Sequence, residues 1–369
     1  MTDVSLVEDE RWMRYALEVA AKGRRLSPPN PSVGAVIVRH GVVLGEGFTQ
    51  ETGGPHAEVM ALRDAEARGN DVTGATIYVT LEPCSHWGRT PPCALAIVEH
   101  KLGRLVAALR DPNPLVAGQG LEIVRRAGIE VTSGVLEKEA WLSNAGFLNR
   151  ITKGRPWVRM KCAATLDGRT ALPDGRSVWI TGEEARRDGQ YWRAVSGAIV
   201  TGIGTVLSDN PRMNVRLPDQ VRQPLRVIVD PRMETPSEAR ILEGGGVIVV
   251  VAADHGERRQ ALEKTGAEIW VLSDPSCARH VDLGKMLERL AERQVNEVHL
   301  EAGAGLNGSF LRQDLVDEIV LYQAPCFFGE GLPIAKLANP ATPGAAQRWT
   351  VGDIKRIGDD LRLILRRKL

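Results

Sequence analysis

His56, Glu58, Cys84 and Cys93 are the residues whose types and spacing could do chemistry. One imidazole and two thiols are good ligands for Zn2+. Three protein ligands leave the fourth tetrahedral position to water, which is how a catalytic zinc differs from a closed structural one. The run His56-Ala57-Glu58, followed by Pro83-Cys84 and then Cys93, follows the His-x-Glu and Pro-Cys pattern of zinc nucleobase deaminases. A zinc ion lowers the pKa of bound water enough to make it a nucleophile near neutral pH. Glu58, two residues from His56 at the start of an expected helix, can approach that water without ligating the metal. It suits a proton shuttle that takes a proton from water and returns protons to a ring nitrogen and a leaving amine. The spacing departs from the general signature, because Ser85-His86-Trp87-Gly88-Arg89-Thr90-Pro91-Pro92 separates the two cysteines where two residues are usual. A structural zinc with a fourth ligand such as His86, or two ordinary buried thiols, are the competing readings. A closed structural site does not need a glutamate where Glu58 stands.

A second signal lies near the C-terminus. Gly303-Ala304-Gly305-Leu306-Asn307-Gly308-Ser309 follows a strand expected at 297–301 and precedes a helix expected from about residue 310 to 315. Gly-x-Gly-x-x-Gly between strand and helix lets backbone N–H groups approach a pyrophosphate. An ordinary tight turn is the alternative. No acidic residue about 20 positions on stands out as a ribose reader, so a standard dinucleotide fold is not supported.

The elements that must carry these groups alternate between strand and helix. In the first half, helical periodicity covers 9–22, 57–68, 93–100, 121–127 and 136–144, and short apolar runs at 33–38, 41–45, 75–81, 102–109 and 129–132 read as strands. This is the pattern of a three-layer α/β/α domain. Residues 146–156 are polar and basic, with Gly154 and Pro156 as breakers. The boundary is placed there: a first domain over 1–146, a linker over 147–155 and a second domain over 156–369. The second half reads as strands at 158–163, 198–201, 225–230, 247–252, 268–272, 297–301 and 318–324, with helices at 183–195 and 283–293. Several of these strands are continuous apolar runs, as expected where both faces are covered. Residues 254–279 beyond that strand give no functional signal.

Composition narrows the function classes. The chain has 369 residues, enough for two domains. It carries 47 Lys plus Arg against 46 Asp plus Glu, which argues against a strongly basic nucleic-acid binder. No apolar run approaches the ~18 residues of a membrane span, and the acidic, polar N-terminus is no signal peptide, so a soluble cytoplasmic protein is expected. The five cysteines are odd in number, and Cys162, Cys277 and Cys326 read as buried small hydrophobes rather than disulfide partners.

Longer motifs carry a resemblance. Asn30-Pro31-Ser32-Val33-Gly34, Pro55-His56-Ala57-Glu58, the run from Tyr78 through Glu82-Pro83-Cys84-Ser85-His86-Trp87-Gly88-Arg89-Thr90-Pro91-Pro92-Cys93, and Asp111-Pro112-Asn113-Pro114 resemble the deaminase half of the bifunctional riboflavin-biosynthesis deaminase/reductase family. The long loop between the cysteines is that family's own form. The motifs Met160-Lys161-Cys162-Ala163-Ala164-Thr165-Leu166-Asp167-Gly168-Arg169, Ser177-Val178-Trp179-Ile180-Thr181, Thr201-Gly202-Ile203-Gly204-Thr205-Val206-Leu207-Ser208-Asp209-Asn210-Pro211 and Glu301-Ala302-Gly303 resemble its reductase half.

The resemblance implies a cytidine-deaminase-like domain followed by a dihydrofolate-reductase-like domain. One Zn2+ per chain and NADPH are the implied cofactors, and a homo-oligomer the implied assembly. The implied substrate is a small phosphorylated pyrimidine: 2,5-diamino-6-(5-phosphoribosylamino)pyrimidin-4(3H)-one is deaminated, and the ribosyl group of the resulting 5-amino-6-(5-phosphoribosylamino)uracil is reduced to ribityl. By the same resemblance Asn30, His86, Asp111 and Asn113 contact the deaminase substrate. Ala163, Trp179, Thr205, Asp209 and Gly303 to Ser309 line the NADPH site, and Ser177, Arg193, Met213, Arg216 and Glu301 face the reductase substrate. Lys161 lies near the reacting centre, and Asp209 or Glu301 handles a proton. Arg193 and Arg216 suit the substrate phosphate, with Arg89 a possible partner in the first site. Ala302 stands where family members can carry glycine. Solvated arginines, a core Trp179, and Asn30 and Asp111 as shapers of proline turns are the plainer readings.

Two other functions share some of these features. A nucleic-acid-editing zinc deaminase with a fused nucleotide-binding domain would have the same zinc ligands, but near-zero charge and the long inter-cysteine loop count against it. A zinc-stabilised nucleotide sensor would bind without needing Glu58.

Overall fold

The computed structural model describes residues 3–85, 87, 92–113, 117–177, 179–218 and 222–367. The chain forms two compact units, Met1–Gly154 and Arg155–Leu369.

The first unit is built on a five-stranded sheet in the order Val42–Phe48, Gly34–Arg39, Thr76–Val79, Arg104–Ala107, Glu130–Ser133. Gly34–Arg39 is antiparallel to both neighbours, and the last three strands are parallel to one another. Helices cover both faces, and small residues let them come close. A Cβ at Gly34 would lie 2.1 Å from the Ala16 carbonyl oxygen of the helix Asp3–Gly23. On the opposite face, one at Gly47 would lie 2.4 Å from the Ala61 nitrogen of the helix Ala57–Ala67. The expected three-layer arrangement is therefore present, with Met13, Ala16, Ile37, Ala61, Ile77 and Leu105 fully buried in its core.

One expectation fails locally. Residues 147–153, read as part of the linker, belong to the helix Ala145–Lys153. Leu148 is fully buried, while Arg150 and Lys153 lie in the last turn and Gly154 takes the left-handed conformation that ends the helix. The breakers thus mark the end of an amphipathic helix rather than the absence of one.

The second unit has a nine-stranded sheet in the order Glu268–Val271, Val247–Val251, Leu225–Val229, Ala198–Gly202, Glu297–Leu300, Trp157–Ala164, Glu318–Gln323, Asp360–Arg366, Thr350–Ile357. The first seven are parallel, and the last two close the sheet as an antiparallel hairpin that the sequence reading did not identify. The edge strand Glu268–Val271 matches the strand expected at 268–272; around it, in a stretch without a functional signal in the sequence, lie the helix Gly256–Glu263 and a small ribbon of Ser273–Asp274 and Cys277–Val281.

The central strands alternate sharply. Val158, Met160, Val298 and Leu300 pack into an apolar core with Met286, Leu290 and Phe310. Their alternate residues carry charge. Arg159, only 2 % exposed, donates to Glu318 Oε1 and Glu297 Oε2, each at 2.5 Å. Arg366 reaches Glu318 at 2.8 Å, and Arg362 reaches Asp188 at 3.1 Å. The helix Glu183–Val195 lies over this ionic face, with the Arg159 guanidinium 4.6 Å from the Trp192 ring centre.

Candidate active sites

In the first unit the three presumed ligands come from the ends of elements. Pro55 leads into His56, whose extended backbone caps the helix Ala57–Ala67 and places Glu58 in its first turn. The close approach allowed by Gly45 and Gly47 seats that helix against the strand Val42–Phe48. The strand Thr76–Val79 runs on through Thr80 to Cys84, and Cys93 is the first residue of the helix Cys93–Glu99. His56 Nδ1 lies 3.6 Å from Cys84 Sγ and 3.3 Å from Cys93 Sγ, and the three ligand atoms all lie within 4.8 Å of one another. Zn–S and Zn–N bonds of about 2.3 and 2.1 Å at tetrahedral angles require N···S separations of about 3.6 Å. The donor set therefore fits a zinc ion.

Glu58 is buried beside these atoms at 3 % exposure. Burial pushes its carboxyl up to about 7, and the neighbouring Cys84 charge adds to the rise. The sulfurs behave as a pair: hydrogen bonding with Cys93 holds Cys84 low, and the same contact pushes Cys93 well above the usual thiol range. A second carboxylate, which the sequence reading passed over, organises the surroundings. Glu82, 4 % exposed, accepts backbone N–H bonds from Asp111 at 3.1 Å, Gly118 at 2.9 Å, Gly120 at 3.0 Å and Leu121 at 3.3 Å. It ties the Asp111–Asn113 segment to the chain two residues before Cys84. A Cβ at Gly120 would meet the Pro83 carbonyl at 1.9 Å, so that approach also needs glycine. The only signal in the sequence was an acidic residue beside Pro83-Cys84.

Asp111 accepts the Asn113 N–H at 2.8 Å, which shapes the turn, and both residues are half-buried. Asn30 is half-buried in a loop whose Pro28 carbonyl accepts from Thr52, on the approach to His56. His86 and Arg89 lie outside the described residues.

In the second unit the structure gathers Arg193, Met213 and Glu301. Arg193 Nε donates to Glu301 Oε1 at 3.1 Å, and Nη2 donates to Oε2. Arg193 also reaches the Asn214 carbonyl at 3.0 Å and Met213 Sδ at 3.6 Å. These bonds engage the arginine with Glu301. Burial alone would raise the Glu301 pKa, but Arg193 and a hydrogen bond from His299 hold it well below the usual carboxylate range. Arg216, exposed, is close enough to feel Arg193 and Glu301. Lys161 acts on Glu301 electrostatically from the neighbouring strand, its Nζ 6.0 Å from the Tyr322 ring centre. Ala163 is half-buried on that same strand, and Ser177 half-buried in a loop.

Trp179 is 71 % exposed under the Arg186 guanidinium, so it is not a core aromatic. Thr205 and Asp209 belong to the helix Ile203–Asp209, where Asp209 is exposed and accepts from Ser208 at 2.8 Å. Among the described residues, no hydrogen bond joins Trp179, Thr205 or Asp209 to the Glu301 cluster.

The glycine motif also differs from expectation. It is not a loop, because the helix Ala304–Arg312 begins directly after Gly303. Asn307 and Gly308 are buried, and a Cβ at Gly308 would meet the Lys336 carbonyl at 2.2 Å, so this glycine serves packing. Only the first turn is open: nothing lies within 4 Å of a Cβ built on Gly303 or Gly305. First-turn N–H groups there can meet an anion. Thr201 Oγ1 and Asn214 Oδ1, buried on segments bonded to this cluster, have no hydrogen-bond partner among the described residues. Thr201 Oγ1 can donate to a phosphate and Asn214 Oδ1 can accept from a hydroxyl or carboxamide, so the residues fit a nucleotide cofactor.

Comparisons with known proteins agree with this division. The family model described as the cytidine and deoxycytidylate deaminase zinc-binding region matches residues 6–109, and the RibD C-terminal domain model matches residues 156–363. Riboflavin biosynthesis protein RibD of Escherichia coli is 40% identical over 372 residues, covering 97% of this chain and 99% of the relative. The protein of the same name from Haemophilus influenzae is 39% identical over 383 residues, with 96% of each chain covered. The solved Acinetobacter baumannii RibD, form 1, superposes with a TM-score of 0.87 at 42% identity, covering 99% of this chain and 100% of that one. A Thermotoga maritima diaminohydroxyphosphoribosylaminopyrimidine deaminase/5-amino-6-(5-phosphoribosylamino)uracil reductase gives 0.85 at 36% identity, covering 98% of this chain and 99% of that one. These matches set aside both the nucleic-acid-editing reading and the sensor reading. The chain belongs to the RibD family of riboflavin biosynthesis, bifunctional enzymes that join a zinc-dependent deaminase to an NADPH-dependent reductase.

Proposed function

We propose that this chain deaminates 2,5-diamino-6-(5-phosphoribosylamino)pyrimidin-4(3H)-one in its first unit, and reduces the ribosyl group of the resulting aminouracil in its second. The observation that carries the reading is the convergence of His56, Cys84 and Cys93 with a buried Glu58 beside them.

His56, Cys84 and Cys93 would hold the zinc. Zinc there supplies the Lewis acidity that turns water into a nucleophile. Glu58 takes a proton from the attacking water, protonates the ring nitrogen, and then delivers a proton to the departing amine. Water is consumed, a carbonyl replaces the C–NH2 group, and ammonia leaves. A carboxyl pushed up to about 7 by burial is suited to both accepting and giving a proton. Asn30, Asp111, Asn113 and His86 are proposed to orient the pyrimidine.

In the second unit NADPH supplies a hydride. As the sugar's C1′–O4′ bond breaks, O4′ must gain a proton while C1′ becomes the electrophile. Glu301, held as a carboxylate by Arg193, is a poor donor and a good acceptor for a ribose hydroxyl. Lys161, facing Glu301 from the neighbouring strand, is the proposed donor. Arg216 is the proposed phosphate contact, with Met213 and Ser177 beside the substrate. Asp209, Thr205, Trp179, Ala163 and the first turn after Gly303 are assigned to the cofactor.

No helix among the described residues is long and apolar enough to cross a membrane. Zinc ligation by Cys84 and Cys93 requires reduced cysteines, which supports a reducing, cytoplasmic setting. Exposed Val351 and Ile354 on the outer strand Thr350–Ile357 support association of two copies.

The test is separation of the two reactions. Chelation should abolish ammonia release while NADPH oxidation on pre-deaminated substrate continues. Loss of both activities with the fold intact would overturn the two-site reading.

A further inference from the structure

His299 is fully buried on the strand Glu297–Leu300, and nothing in the reaction outlined above uses it. Its Nε2 lies 3.0 Å from Glu301 Oε1, and its Nδ1 has no hydrogen-bond partner among the described residues. A carboxylate only accepts, so the Glu301 contact places the imidazole proton on Nε2. Glu301 follows directly on the strand, two residues after His299, and its N–H still bonds the Val200 carbonyl of the neighbouring strand, so the two side chains meet on one face.

The distribution of bonds on Glu301 is uneven. Oε1 accepts from both Arg193 Nε and His299 Nε2, which fills its two lone-pair directions, whereas among the described residues Oε2 accepts from Arg193 Nη2 alone. One lone pair, on Oε2, therefore remains for a ligand.

We propose that His299 is a positioning residue of the reductase: with Arg193 clasping both oxygens of Glu301, His299 fills the remaining acceptor direction of Oε1, so that Oε2 is the oxygen presented to the substrate's ribosyl hydroxyls. The proposal rests on Glu301 facing the substrate. Arg193 clasps both oxygens and sets the plane of the carboxylate. His299 adds a second donor on Oε1, so that only Oε2 keeps acceptor capacity for a ligand. The charged and titratable groups facing the pair are Arg193 from the helix Glu183–Val195, Arg159, Lys161 and Cys162 from the neighbouring strand, and Arg216. Cations dominate, so Glu301 stays ionised even when His299 is removed, though less firmly.

The experiment compares His299→Leu, His299→Gln and Glu301→Gln in the full-length zinc-loaded enzyme, using NADPH oxidation on the deaminated substrate. His299→Leu should lower kcat/KM about ten- to a hundred-fold, the range expected when a hydrogen bond to a charged group is lost. It should also move the acidic limb of the pH profile upward, because Glu301 loses a donor to its ionised form. NADPH affinity by nicotinamide fluorescence and ammonia release should not change. His299→Gln, whose amide can donate to the same oxygen, should recover most of the loss. Unchanged kinetics and pH profile in His299→Leu, with Glu301→Gln inactive, would overturn the positioning role. So would a His299→Leu loss that Gln fails to recover, or one shared by NADPH binding and thermal midpoint. Full activity in Glu301→Gln would instead sink the reading of Glu301 as a substrate contact.

Discussion

Replacing Arg159 by methionine tests the ionic face of the reductase sheet. The guanidinium is buried at 2 % exposure and holds Glu297 and Glu318 at 2.5 Å each. Methionine keeps much of the length but removes the charge, so two buried carboxylates lose a shared cation. Removing one partner of a buried ion pair costs about 3–5 kcal/mol. For a unit of this size each kcal/mol lowers the midpoint by about 2–4 °C, so a fall of about 6–20 °C is expected. The pH dependence gives a sharper test. In the parent, burial would raise the Glu318 pKa, but Arg159 and Arg366 hold it below the usual carboxylate value of 4.5. A lowered folded pKa contributes stability that is present at neutral pH and lost as pH falls through it. In Arg159→Met burial of Glu318 is opposed by Arg366 alone, so its folded pKa rises; the penalty is largest at high pH and is relieved as this carboxyl protonates. The gap between variant and parent should narrow from about pH 8 to about pH 5. Thermal inactivation of NADPH oxidation, with circular dichroism melts at both pH values, measures this. A midpoint within about a degree of the parent, or a gap that widens toward acid, would refute the reasoning. Adding Glu297→Gln and Glu318→Gln to the variant should return part of the lost stability, since no buried carboxylate then lacks its Arg159 partner, while the partly exposed Arg366 loses Glu318.

Other outcomes follow from the two sites. Glu58→Gln should cut ammonia release by about 10²–10⁴-fold while metal analysis still finds one zinc per chain and NADPH oxidation on deaminated substrate is unchanged. Glu82→Gln can no longer accept all four backbone N–H groups, so it should raise the KM of deamination more than it lowers kcat; equal KM values for variant and parent would dissociate the Asp111–Asn113 segment from substrate binding. Gly305→Asp places a negative charge at the open first turn of the helix Ala304–Arg312, at a cost to anion binding of about 1–2 kcal/mol. Fluorescence titration should then show NADPH affinity down about five- to thirty-fold, with ammonia release intact.

Much of this was visible in the residues alone because the relevant signals are local. His56, Glu58, Cys84 and Cys93 announce their chemistry by type, and the apolar run at Val247–Val251 announces a covered strand. What stayed hidden depends on distance along the chain. The contacts of Arg159 span 138 and 159 residues, so nothing near Arg159 shows that Glu297 and Glu318 neutralise it. Glu82 looked like part of a cysteine motif, and only the fold brings four N–H groups to it. The glycine run misled for a related reason. Spacing alone does not distinguish a glycine that admits phosphate from one that admits a carbonyl, and Gly308 is of the second kind. The helix Ala145–Lys153 was missed because its polar residues and terminal breakers outweighed the single buried face of Leu148.

The helix Glu183–Val195 has a bearing on how this reductase can be recombined with its relatives. Asp188 accepts from Tyr322 at 2.5 Å and from Arg362, Trp192 stacks on Arg159, and Arg193 grips Glu301. One helix thus answers to four separate strands or their ends. A chimera that grafts this segment from a homologue will work only if the matching residues beneath travel with it, so crossover points placed around residues 183–195 alone should give the least tolerated exchanges in a shuffled library.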